Sequence, residues 1–294
     1  MDYLYDGTYS GLLCCIYAHY YIEPASGIFR ESEYQTRLFD QACRIETEEE
    51  KAAKVYRAIR TKLGELTLRR SYLAYLSCAE DREMKLLRYL VFGFQTGIGF
   101  NRLHGRDEVF QVQAMEKHIY GERHRYLGIL RFSVISAQPG SAGINDSVVA
   151  DGVTDDEDSD ADYASGSTGI AGFADGEAGC EKRLPHREVL YAQIEPQNDL
   201  LELMADHFLE RYRSDPFIIH DIQREKALFA GGGQWYIASL PADIAVRLSQ
   251  GELMYRTLWK SYFDTIAIKE RTNPRCQKNF MPMRYWNHLT EKLM

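Results

Sequence analysis

The chain predicts an α+β fold, with a helical N-terminal half followed by an antiparallel sheet and its packing helices. Three observations lead to this expectation. Apolar residues recur at helical spacing through much of the first 120 positions. Beyond them, short runs rich in β-branched and aromatic residues alternate with turn signals. Between two of those runs, residues 140–181 are rich in Gly, Ser, Ala and Asp, a composition that buries too little apolar surface to offset its ordering entropy. The division expected is 1–120, mainly helical, and 121–294, the sheet-bearing part with a disordered acidic insertion at 140–181 in a hairpin and a basic C-terminal arm at 271–294. The two together form one continuous domain.

Taken in order, Tyr3 to Tyr5 reads as a short strand turned by Asp6-Gly7. A helix follows, with Leu12, Leu13, Ile16 and Tyr20 on one face. Thr47, with Glu50 three residues on, forms the pattern of a capping box, opening a helix that carries Val55, Ile59 and Leu63. Further helices are expected at 66–76, at 82–94 (Met84, Leu87, Val91, Phe94) and at 107–120 (Val112, Met115, Ile119). Residues 126–132 and 188–194 read as strands flanking the insertion. Asn198 is expected to cap a helix bearing Leu201, Met204, Phe208 and Leu209, and 217–222 to form a strand. Residues 226–230 and 234–237 flank Gly231-Gly232-Gly233 as a hairpin. Ser249 and Glu252 suggest a second capping box, before a helix with Leu258, Trp259, Tyr262, Phe263 and Ile266.

The totals exclude several classes. No apolar run approaches the ~20 residues that span a bilayer, and Met1-Asp2-Tyr3-Leu4-Tyr5-Asp6 lacks the cationic start of a signal peptide. The six cysteines are scattered without a C-x-x-C pair, which argues against a zinc ribbon, an iron–sulfur cluster or a disulfide framework and points to the cytoplasm. The formal charge of -8 conceals its distribution: 140–181 holds eleven acids and no Lys or Arg, so the rest of the chain sums to +3. Residues 256–294 carry eight cations against three acids. A polyanionic partner is compatible with that pattern.

The basic arm supplies the main candidate site. Arg271, Asn273, Arg275, Lys278 and Arg284 are interleaved with Phe280, Tyr285 and Trp286. Cations that neutralise phosphates beside rings that stack on bases are the ingredients of a nucleic-acid surface, although an arm packing its rings inward would have the same composition. Arg125 and Arg131, in and next to the expected strand 126–132, are candidate phosphate contacts. His124, His220 and Asp221 are the candidate acid–base groups, with the reservation that neighbours on a strand face opposite ways. Gly231–Gly233 and Gly97-Ile98-Gly99 read as a hairpin turn and a helix stop, since neither has the surroundings of a phosphate loop. None of the eight histidines makes a metal-ligand spacing, so neither a metal nor a cofactor is predicted.

Several motifs together carry a resemblance. Tyr5-Asp6-Gly7, His124-Arg125 with Arg131-Phe132, Tyr191-Ala192 with Ile194, His207-Phe208 with Arg211-Tyr212, Ile219-His220-Asp221, and Arg271, Asn273-Pro274-Arg275, Met281-Pro282 and Arg284-Tyr285-Trp286 are similar to a bacterial family linked to DNA metabolism and DNA repair, itself a domain of unknown function. The resemblance spans nearly the whole chain apart from 140–181. It implies a companion of a radical SAM protein of DNA modification or repair, beside which such proteins are typically encoded. A related version is fused ahead of a uracil-DNA glycosylase domain. The expectation is an accessory protein that binds DNA through Arg125, Arg131 and the arm, with Tyr285 or Trp286 stacking on a base. Two rivals stand beside it: a nuclease-, glycosylase- or lyase-like enzyme using His124, His220 or Asp221, and a protein-only adaptor.

Overall fold

A computed structural model describes residues 1–35, 41–136, 188–244 and 248–292. The insertion expected at 140–181 lies outside the described residues. The chain divides into two compact units, Met1–Leu130 with Glu195–Met204, and Arg131–Ile194 with Ala205–Met294.

In the first unit β1 (Asp2–Tyr5) forms as expected, flanked in parallel by two strands the sequence did not suggest, β2 (Gly27–Arg30) and β3 (Ala42–Arg44). Helix α1 (Tyr9–Tyr21) begins where Thr8 accepts the Gly11 N–H at 3.0 Å. The expected box at Thr47 does not form. Helix α2 (Glu49–Leu63) starts without a side-chain cap, and Thr47 instead donates its hydroxyl to Asp6 Oδ2 at 2.9 Å. A carboxylate is a stronger acceptor than a neutral group, so Asp6 gathers both Thr8 and Thr47. Helices α3 (Glu65–Leu76) and α4 (Arg82–Thr96) follow, and α4 stops at Gly97, whose positive φ of 85° suits a residue without a Cβ. Leu12, Ile16, Ile59, Leu86, Leu90 and Val112 are among the buried side chains that form this unit's core.

Helix α5 (Asp107–Ile129) runs well past 120 and absorbs most of the stretch expected as the strand 126–132. Its buried residues Val112, Met115, Ile119, Glu122 and Tyr126 follow one helical stripe, in which a carboxylate occupies an apolar place. Glu122 can be fully buried because it accepts the Gln197 and Asn198 backbone N–H groups, each at 2.9 Å, and Asn198 Nδ2 at 2.6 Å. Asn198 Oδ1 in turn accepts the Cys78 N–H at 3.0 Å, so the residue expected as a helix cap ties three segments of this unit together.

In the second unit β4 (Ser133–Ser136), β5 (Glu188–Ile194), β6 (Phe217–Asp221), β7 (Lys226–Gly231) and β8 (Gln234–Ser239) form one sheet in that order. Its pairings are antiparallel except for β5 with β6, which run parallel. The expected antiparallel sheet thus holds except at this one parallel pairing. The connection from β5 to β6 passes through α6 (Leu201–Arg211), the kind of crossover that returns a chain in its original direction. Between β7 and β8, Gly232 and Gly233 both hold positive φ (60° and 82°), as a two-residue type I′ hairpin requires.

Apolar side chains pack on both faces of the sheet. On one, Phe132, Phe208, Tyr212 and Phe217 make edge-on and tilted ring contacts. On the other, Ile135, Tyr191, Ile218, Ala227, Phe229 and Leu240 form a second core. Helix α7 (Gln250–Ile266) is capped by Ser249, which accepts the Glu252 N–H at 3.2 Å. Glu252 does not complete the box, because its carboxylate takes the Val134 N–H at 3.2 Å and Arg256 at 3.1 Å. Leu258, Tyr262 and Ile266 of α7 lie exposed. Asn273 then caps α8 (Pro274–Phe280), its Oδ1 accepting the Cys276 N–H at 3.0 Å.

Candidate functional site

A cavity of about 350 Å³ opens in the second unit on the Tyr191 face of the sheet. Its polar walls come from distant parts of the chain: Arg131 and Ser133 at the start of β4, Tyr191 and Gln193 on β5, Arg256 on α7, and Asn287, His288 and Thr290 in the last part of the arm. Ile244 and Leu248 supply an apolar side. Tyr191 and Gln193 reach the same space because residues two apart on a strand share a face.

Both arginines are held by carboxylates. Arg131 Nη2 donates to Glu291 Oε1 at 3.2 Å, and Trp259 Nε1 donates to the other oxygen of Glu291 at 3.1 Å. Burial alone would raise the Glu291 carboxyl, but its own backbone N–H, Trp259 and Arg131 outweigh that effect and hold it below the usual carboxylate range. Arg256 donates Nε to Glu252 at 3.1 Å and Nη2 to Ser133 Oγ at 2.7 Å. Two ion pairs fix the planes of two guanidinium groups at one cavity wall.

A hydrogen-bonded chain runs inward from two lining residues, Gln193 and Tyr191. Gln193 Nε2 donates to the Tyr191 oxygen at 3.1 Å, and the Tyr191 hydroxyl lies 2.8 Å from His220 Nδ1. His220 Nε2 is 3.2 Å from the Leu240 carbonyl oxygen. A carbonyl only accepts, so the ring proton sits on Nε2 and Nδ1 accepts from tyrosine. Burial lowers the His220 pKa, with the Leu240 carbonyl opposing, and burial raises that of Tyr191, with Gln193 opposing. At neutral pH the chain therefore runs Gln193 to Tyr191 to His220 to Leu240 with every group uncharged.

The structure scatters the expected catalytic trio. His220 is fully buried, with both ring nitrogens engaged, and touches the cavity only through Tyr191. Asp221 is fully buried too and is bonded to the Arg224 backbone N–H and guanidinium, at 3.2 and 2.9 Å. His124 and Arg125 lie on the exposed side of α5, in the first unit, and not on a strand. Among the described residues no group of three or more His, Cys, Asp or Glu side chains is placed to hold a metal ion.

The arm is divided in the same way. Arg271, Asn273, Arg275, Lys278 and Arg284 are exposed. Arg275 and Lys278, three apart on α8, share a side of that helix. Tyr285 is only 2% exposed and offers no face to a base, while Arg284 lies over its ring at 5.0 Å. Trp286 is half-buried, its Nε1 bonded to the Met281 carbonyl at 3.0 Å and its ring covered by Lys292 at 4.7 Å. The ring fully open to a ligand is Phe280, which is 79% exposed. Sequence reading singled out Arg131 but missed Ser133, Gln193, Arg256, Asn287, His288 and Thr290, because no spacing links residues so far apart.

A family model described as a domain of unknown function, DUF4130, matches residues 181–291. The match takes in most of the arm and every cavity-lining residue except Arg131 and Ser133. No curated protein and no solved structure matches the chain. No helix among the described residues is long and apolar enough to cross a membrane.

Proposed function

We propose that this chain is a cytoplasmic accessory protein of DNA repair or DNA metabolism, binding DNA through its basic C-terminal arm and acting with a radical SAM partner. The observation that carries the reading is the exposure of Arg271, Arg275 and Lys278, to which no carboxylate is paired among the described residues, next to the open ring of Phe280. Unpaired cations on a short capped helix and in the turn before it neutralise phosphates, and an exposed ring stacks on an unpaired base. The motif resemblance supplies the repair context and the radical SAM partner. With Tyr285 sealed, the stacking role moves to Phe280. The exposed apolar side chains Leu258, Tyr262 and Ile266 of α7 give a protein partner a surface to cover.

The test is anisotropy of labelled single- and double-stranded DNA across a salt series. The reading expects affinity that falls steeply with salt. Binding that ignores salt, or no binding at all, refutes it. For the partner, Leu258→Asp with Tyr262→Asp should abolish co-purification with the radical SAM protein while leaving DNA affinity intact.

A further inference from the structure

We infer that the cavity beside β4 and β5 is a binding site for a single nucleotide unit, separate from the phosphate contacts of the arm. Its chemistry has three parts. Arg131 and Arg256 present planar guanidinium groups already oriented by Glu291 and Glu252, a preorganisation that favours phosphate recognition. Arg256 spends Nε and one N–H of Nη2 on Glu252 and Ser133, leaving Nη1 to face a ligand. Gln193 and Asn287 offer carboxamides, each both donor and acceptor, which is the complement of a nucleobase edge. Ile244, Leu248 and the Tyr191 ring give the apolar wall against which a flat ring lies.

The charge balance chooses among anions. Two guanidinium groups face two carboxylates, so the site carries little net positive charge. A bare phosphate gains little from it, and neither does an uncharged nucleoside that leaves the arginines unused. A ligand holding a phosphate and a hydrogen-bonding ring in one molecule uses all three parts. A volume of about 350 Å³ suits a small ligand of this kind.

Calorimetric titration of the full chain with the four deoxynucleoside 5′-monophosphates, the matching nucleosides, inorganic phosphate and a 5′-phosphorylated single-stranded oligonucleotide tests the site. At least one monophosphate should bind about tenfold or more tighter than its nucleoside and than phosphate. Asn287→Asp, which adds a negative charge at an exposed position, should weaken that binding by about tenfold or more without moving the Tm. Gln193→Glu serves as a second variant. Stronger binding of the free monophosphate than of the oligonucleotide identifies a free nucleotide as the occupant. The reverse order, equally sensitive to Asn287→Asp, identifies a nucleotide within a strand. Monophosphates that bind no better than phosphate or nucleoside, or affinities that both variants leave unchanged, overturn the inference. Neutralising Arg271, Arg275 and Lys278 should not alter monophosphate affinity, so failure of the arm and failure of the cavity are read separately.

Discussion

The Tyr191 hydroxyl lies 2.8 Å from Nδ1 of a fully buried His220, whose Nε2 meets the Leu240 carbonyl at 3.2 Å. The imidazole is thus fixed as one neutral tautomer, and its role is to aim the phenol that lines the cavity.

Acidification should expose this arrangement. The folded pKa of His220 is depressed by burial, so the unfolded chain binds the proton more readily. The stability it contributes is present above about 6.5, the ordinary histidine value, and is lost as pH falls through the lowered folded value. His220→Gln should cost about 1–3 kcal/mol at pH 8. The Tm gap between wild type and variant should narrow as pH drops towards 5, and a gap independent of pH would contradict the assignment.

Two aromatic residues of the C-terminal region should part company. Tyr285→Ala removes a buried ring and should destabilise by about 3–5 kcal/mol, read from denaturant unfolding. Phe280→Ala, at an exposed position, should leave stability within about 0.5 kcal/mol. It should weaken single-stranded DNA binding by about 1–3 kcal/mol. Unchanged single-stranded DNA affinity in Phe280→Ala would remove stacking from the account.

The buried Glu122 makes a third prediction. Asn198→Ala leaves the Cys78 N–H without its acceptor and takes one donor from the carboxylate, at a cost of about 1–3 kcal/mol. Glu122→Ala strips the acceptor from two backbone N–H groups and from Asn198 Nδ2, and should cost more. Hydrogen exchange at Gln197 and Asn198 should quicken in Glu122→Ala, and unchanged protection there would show that the carboxylate is not what holds the segment.

Much of the fold was legible in local pattern. Helical spacing located α3 and α4, alternation and Gly232-Gly233 located the β7–β8 hairpin, and Ser249 located the start of α7. What misled was polarity satisfied from far away. Glu122 interrupts the α5 stripe in the sequence, and only partners some 76 residues later make its burial affordable, so the helix seemed to end early. Thr47 and Glu50 had the spacing of a cap, yet Asp6 outcompeted the helix for the Thr47 hydroxyl. The two short strands beside β1 have three or four residues each, too few for a periodic signal. In the candidate site, the exposed arm cations could be read from composition. The burial of Tyr285 and the gathering of Arg131, Tyr191, Arg256 and His288 around one cavity depend on tertiary packing, which spacing does not encode.

The most direct test of DNA binding through the arm is the salt dependence of affinity for wild type and for Arg271→Gln/Arg275→Gln/Lys278→Gln. If these three side chains neutralise phosphates, the slope of log affinity against log salt should shrink by about 2–3 in the triple variant, with the Tm unchanged. An identical slope in both proteins would contradict the account.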